Sequence, residues 1–360
     1  MSTKKDKIAS FDPSQPGLID EGMFGLPFTA EESEIVVVAV PWEVTVSYGA
    51  GASAGPAAIL EASYQIDLLH QDFPELWKLG IHLDEGPAHW LPTSTQMKEE
   101  AQQIIAALEN GENPAEDADL SKVLNTINQA CAKLNAELKE RVLNWMEQGK
   151  KVVLLGGDHS TPMGYYQALA TVHDEFGILH FDAHMDLRQA YEGFTYSHAS
   201  IMYNAIQLPQ ISKLVQVGIR DFSETELSVI RGTDKVRVFT DSDLKKAQFE
   251  GMTWQQQVDQ IIAALPPKVA VSFDIDALYQ WYCPNTGTPV PGGLSYEQAV
   301  YMLNRLAASD KEIIGVDLVE VAPGDSDDWD GNVGARLLFH LCGVLAKNNG
   351  LPVGERVEFS

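Results

Sequence analysis

The sequence predicts a three-layer α/β domain built around a parallel sheet, and three observations lead there. Short apolar runs rich in Val and Ile alternate with helical patterns along the chain. The runs are apolar on both faces, as strands are when helices cover both sides of a parallel sheet. Polar residues gather just after four of the runs, where open parallel sheets bind their ligands.

The elements follow in order. "EIVVVAV" (34–40) reads as the first strand, and "GPAAILEASYQIDLL" (55–69) as a helix with Pro56 in its first turn. The stretch 91–118 is acidic and broken by Gly and Pro, and is expected to be a surface excursion carrying a helix. A long helix should follow over 119–149, where Val123, Ile127, Ala130, Leu134, Leu138 and Trp145 recur at helical spacing and Gly149 can end it. Further strands are expected at 150–156, 176–182, 212–219, 268–276 and 311–320. We therefore expect one domain over 1–360, with an N-terminal extension 1–33 and a helical acidic insertion at about 91–148.

Composition narrows the function classes. The 25 basic and 51 acidic residues leave a net charge of −26, which repels phosphate backbones and argues against nucleic acid. The same charge can steer a cationic substrate. No apolar run is long enough to span a membrane, and the first residues lack the apolar stretch of a signal peptide. Cys131, Cys283 and Cys342 are far apart and odd in number. That fits a reducing cytoplasm and excludes a disulfide framework or a cysteine-ligated zinc.

The chemistry concentrates at the strand ends. In "LHFDAHMDLR", Asp182, His184 and Asp186 alternate and can share one face as the strand gives way to loop. Asp274 and Asp276 repeat the alternation, and His159 in "GGDHS" can join from a third strand. Asp158 beside it has two readings, a loop cap or a site residue. His180 lies inside its strand, alternates away from the neighbours of His184 and is expected to be a core histidine. Two like charges 4 Å apart repel by about 4 kcal/mol at an effective dielectric of about 20. Four buried carboxylates therefore require cations or large pKa shifts. Two divalent ions would balance them, and oxygen with imidazole ligands suits Mn, Fe, Co, Ni or Zn.

These blocks carry a resemblance. "GGDHS", "DAHMD" and "SFDID" followed by "NTGTPVPGGLS" resemble the signature blocks of the ureohydrolases, the arginase, agmatinase and formimidoylglutamase family. The likeness runs from about Ile35 to about Ala346, and "DLRQAYEGFTYSHASIM" is most similar to the agmatinase-like branch. It implies a single three-layer α/β/α domain with a central mostly parallel sheet, usually in a trimer or hexamer. It implies two divalent metal ions per subunit, Mn or Ni. One would be held by His159, Asp182, Asp186 and Asp274, the other by Asp182, His184, Asp274 and Asp276. The substrate would be a small cationic guanidine-type compound, split at a guanidino C–N bond into urea and an amine. His198 matches the family's proton-shuttling histidine. Glu320 in "DLVEVAP" matches the carboxylate that grips the guanidinium.

One departure bears on substrate. After "SFDID" the family usually continues Gly-Leu-Asp-Pro, whereas this chain has "ALYQWYCP". Tyr279 and Trp281 are therefore expected to bind substrate as an aromatic wall, which favours a small or N-alkylated guanidine or a biguanide. The competing reading is that they only pack the loop. Two rival classes remain: a related deacetylase with a single zinc, and a non-catalytic subunit assembled with a related second chain.

Overall fold

Eight strands, all parallel, form one sheet in the computed structural model, which describes residues 3–15, 17, 21–324 and 328–359. They are β1 (Ile35–Val40), β2 (Ile81–Asp84), β3 (Lys151–Gly156), β4 (Phe176–Phe181), β5 (Ile211–Ile219), β6 (Val236–Thr240), β7 (Lys268–Asp274) and β8 (Glu312–Val319). Their order is β2-β1-β3-β8-β7-β4-β5-β6. All six expected strands are present. The two that the sequence did not announce, β2 and β6, are the edges. They span only 4 and 5 residues, and half-burial denies them the continuous apolar run of the inner strands.

Alternate strand residues feed two apolar layers. Val37, Leu155, Phe181, Phe273 and Leu318 pack on one side against α2 (Gly55–Ser63), α9 (Trp254–Ala263), α10 (Tyr296–Ala307) and α11 (Trp329–Asn348). Val38, Leu154, Ile178 and Ala270 pack on the other against α3 (Trp90–Glu109), α4 (Ala118–Glu147), α5 (Pro162–Val172) and α6 (Ile201–Ile206). The remaining helices are α1 (Lys4–Ser10), α7 (Glu224–Arg231) and α8 (Asp241–Phe249). Among the described residues, no helix is long and apolar enough to cross a membrane.

Two boundaries differ from expectation. The stretch read as a surface excursion is a layer of the core: α3 buries Trp90, Met97, Ala101, Ile104 and Ile105. Its acidic, broken sequence belongs to the loop after it and to its exposed face. Helix α2 stops at Ser63 rather than continuing to 69. The Ser63 hydroxyl donates to the Leu60 carbonyl, the acceptor that the Tyr64 amide would use in a longer helix, and that amide turns to Glu61 instead.

A half-buried ion pair ties α4 to edge strand β2. Arg141 donates to both oxygens of Asp84, and the Trp145 indole donates to one of them at 2.6 Å. Asp84 is buried. Burial pushes its carboxyl up, but Arg141 and Trp145 outweigh that and hold it below its ordinary value. The stabilisation is thus present above the unfolded carboxyl's value, about 3.9, and is lost as pH falls through the lower folded value. Arg141→Met leaves the carboxylate buried without its cation and should cost about 3 kcal/mol. Urea denaturation at neutral pH checks this. An unchanged midpoint would show the pair to be dispensable.

Candidate metal centre and substrate cavity

Four neighbouring central strands deliver the site. In the sheet, β3, β8, β7 and β4 lie side by side. The loop after β3 carries His159, that after β4 carries Asp182, His184 and Asp186, the end of β7 carries Asp274 and Asp276, and Glu320 follows β8. The "GG" before Asp158 has a steric cause. A Cβ on Gly157 would lie 2.1 Å from the Trp42 carbonyl oxygen, so only glycine lets the β3 turn pass that backbone.

The six expected ligands come together in two adjoining groups. In the first, His159 Nδ1 lies 3.0 Å from Asp182 Oδ2, 3.2 Å from Asp186 Oδ2 and 3.1 Å from Asp274 Oδ2. In the second, His184 Nδ1 lies 3.0 Å from Asp276 Oδ2 and 3.4 Å from Asp182 Oδ1. Asp182 therefore offers one oxygen to each group. The strand alternation put these residues together by a simpler geometry than the one observed. Strand β4 ends at Phe181, and Asp186 turns into the first group through a left-handed backbone, φ 54°.

The donor set fits cations. His159 Nδ1 is buried and makes no hydrogen bond among the described residues, although three carboxylate oxygens surround it. Its other nitrogen meets the Ser272 hydroxyl at 3.0 Å, Ser272 donates to Asp317 at 2.8 Å, and the Tyr166 hydroxyl donates to the same carboxylate at 3.0 Å. That chain turns the Nδ1 lone pair toward the carboxylates, the arrangement of a metal-ligating imidazole. The protonation pattern agrees. Burial pushes the His184 imidazole down, yet Asp276 and Asp182 overcome it and hold it up at about 12. Burial and Asp182 push Asp186 up to about 7. In the bare protein these groups share protons, and divalent cations would replace those protons.

His180 is the main correction within the cluster. It is fully buried, as a core histidine would be, but its Nε2 lies 2.8 Å from Asp182 Oδ2. The period-2 pattern already puts His180 on the same face as Asp182, two residues on, so the contact was within reach of the alternation. Asp158 takes its capping reading: it accepts from Ser160 N at 2.9 Å and from Val44 N at 3.3 Å.

A cavity of about 360 Å³ opens over the cluster. His159, His184, Asp186, Asp274, His198 and Glu320 all line it. Glu320 holds a left-handed backbone, φ 63°, and accepts the His159 amide at 2.7 Å. Strain of this kind concentrates at functional sites. Burial and Asp158 push its carboxyl well above the ordinary range, so an arriving cation would return it to carboxylate. The Thr45 hydroxyl lies 3.3 Å from His198 Nδ1. Burial, with His184 and His159 nearby, pushes His198 down to about 4.

Several lining residues were not foreseen. Arg188 stacks on the Tyr191 ring at 4.7 Å, and Asp221 and Phe222 complete that wall. Buried Glu43 accepts from the Gly51 amide at 2.7 Å and pairs with Lys98 of α3 at 2.8 Å, holding the loop that brings Ser47 and Tyr48 to the cavity. The Glu43–Lys98 pair joins segments 55 residues apart, so no local pattern signals it.

Tyr279 and Trp281 are placed otherwise than expected. Neither lines the cavity. Leu278 bridges to Leu294, and the chain then turns outward. Tyr279 stacks on Trp281 with ring centres 4.3 Å apart, and its hydroxyl accepts from Lys245 at 3.1 Å. Trp281 is 63% exposed. The rings pack on each other and on Lys245, outside the substrate cavity of this chain.

Comparison with known proteins agrees with this geometry. N(1)-aminopropylagmatine ureohydrolase of Thermus thermophilus is 33% identical over 327 residues, covering 90% of this chain and 93% of its own. Agmatinase of Citrobacter koseri is 29% identical over 323 residues, covering 89% and 90%. Proclavaminate amidino hydrolase of Streptomyces clavuligerus shares the fold, with a TM-score of 0.70 at 23% identity, covering 93% of this chain and all of its own. Residues 33–343 match the Arginase family, a span that contains every strand and every ligand-bearing loop. The chain is a ureohydrolase of the Arginase family, a hydrolase of guanidino C–N bonds.

Proposed function

We propose that the chain is an agmatinase-like ureohydrolase that uses two divalent ions, Mn or Ni, to release urea and an amine from a small guanidino compound. The observation that carries this reading is His159 Nδ1, buried without a hydrogen bond among three carboxylate oxygens, in the same cavity as Glu320. His159, Asp182, Asp186 and Asp274 would hold one ion; Asp182, His184, Asp274 and Asp276 would hold the other. Bound there, the ions would lower the pKa of water towards about 7 and so provide a nucleophile at neutral pH.

The chain's own groups do the rest. Glu320, fixed through the His159 amide, would orient the guanidinium by charge-assisted hydrogen bonds. His198, steadied by Thr45, would hand a proton to the departing amine. With Tyr279 and Trp281 outside the cavity, the aromatic argument for a compact guanidine falls away. Agmatine-like substrates therefore take precedence over guanidine and biguanides. Assembly as a homo-trimer or homo-hexamer belongs to the same proposal, and light scattering measures it.

Chelator-stripped protein should release no urea, and adding Mn²⁺ or Ni²⁺ separately should restore release from agmatine or aminopropylagmatine above arginine, guanidine and biguanides. A preference for free guanidine would return the compact-substrate alternative. Absence of urea from every compound with either metal would favour the non-catalytic alternative.

A further inference from the structure

We propose that His180 is a positioning residue: locked in one tautomer by Gln216, it holds the shared carboxylate of Asp182 and thereby sets the cation affinity of both subsites. The inference rests on the binuclear reading above.

His180 and Gln216 are both fully buried, on adjacent strands β4 and β5. The Gln216 side-chain nitrogen lies 2.7 Å from the Met185 carbonyl and 2.9 Å from His180 Nδ1. A carbonyl only accepts, so Gln216 must turn its NH₂ group, not its oxygen, to this side. One hydrogen goes to Met185 and the other to His180 Nδ1. Among the described residues the Gln216 oxygen has no partner, so no contact there favours the opposite orientation.

His180 Nδ1 is thereby an acceptor, and the ring hydrogen sits on Nε2. That nitrogen donates to Asp182 Oδ2 at 2.8 Å. The other oxygen of Asp182 accepts the His184 amide at 2.5 Å. Both oxygens are thus held, and the carboxylate is set with one toward each group of ligands. His180 lies within reach of the first group, but its Nε2 lone pair is taken by the hydrogen. It orients a ligand and is not itself one. Outer hydrogen bonds of this type are worth about 10–100-fold in metal affinity.

The test titrates full-length, chelator-stripped protein with Mn²⁺ and follows free Mn²⁺ by electron paramagnetic resonance. The unmodified chain should take up two ions. His180→Phe, which keeps a ring but no donor, should bind them about 10–100-fold more weakly. Gln216→Leu, which frees the tautomer, should also weaken binding. His180→Gln places an amide donor near the lost Nε2 and should restore most of the affinity. The metal-free melting temperature of His180→Gln should match the unmodified protein, which separates ligand orientation from folding. If His180→Phe fails to fold, His180→Gln with Gln216→Leu decides the question. Folded variants lacking the donor that bind Mn²⁺ like the unmodified protein would overturn the inference, and so would a folded His180→Gln that does not restore affinity. An unmodified chain that binds no ion at all would overturn the binuclear reading, a distinguishable result.

Discussion

Replacing Asp182 with alanine empties both cation subsites and abolishes urea release. The expectation follows from how this one side chain is shared. Its Oδ2 lies 3.0 Å from His159 Nδ1 and its Oδ1 lies 3.4 Å from His184 Nδ1, so its loss takes an oxygen from each group. The loss in metal affinity should exceed the roughly 100-fold upper range of changes to residues that only orient a ligand. His184→Ala, by contrast, removes a donor from one group and should weaken chiefly one ion. Metal content per subunit after exhaustive dialysis distinguishes the two variants, starting from about two ions in the unmodified chain, the two whose charge matches four carboxylates. A reproducible content of one ion in the unmodified protein would sink the shared-ligand model.

His198→Ala should keep both ions and still lose about 10²–10⁴ in kcat, the usual share of general acid–base catalysis. The residue lines the cavity beside Glu320 and His184 and is not one of the six residues assigned to the ions. Its one hydrogen-bond partner among the described residues is Thr45, at Nδ1, which leaves Nε2 for the substrate. Unchanged metal content with a depressed kcat supports the role. A variant with unchanged kcat would show that the proton travels by another route.

The reading from sequence succeeded where information is local. Each inner strand is a continuous apolar run because helices cover both of its faces. Each of the six residues assigned to the ions sits within a few residues of such a run, so the reading reached them together with the strands. The edges β2 and β6 were obscure because half-burial erases that signal. The core role of α3 was obscure because an acidic exposed face dilutes its apolar stripe. Within the site, alternation named Asp182, His184 and Asp186 but not their division between two groups, since φ at Asp186 cannot be read from its neighbours. Tyr279 and Trp281 misled for a related reason. Their closeness to Asp276 in sequence says nothing about which way the loop turns, and pairing of Leu278 with Leu294 sends it outward. Thr45 with His198 and Glu43 with Lys98 depend on approach between elements, and no motif encodes them.

The six residues proposed to hold the ions span 159 to 276 and issue from three strands. Ions seated among them would act as reversible cross-links between loops more than a hundred residues apart. Heat resistance then becomes a readout of free metal concentration. Ions that bind only the folded chain add about 2.7 kcal/mol per site at a hundredfold excess over Kd. The melting temperature should therefore climb with the logarithm of added metal, and chelation should lower it before any enzymatic assay is run. A cell short of the metal would hold a less durable protein as well as an idle one.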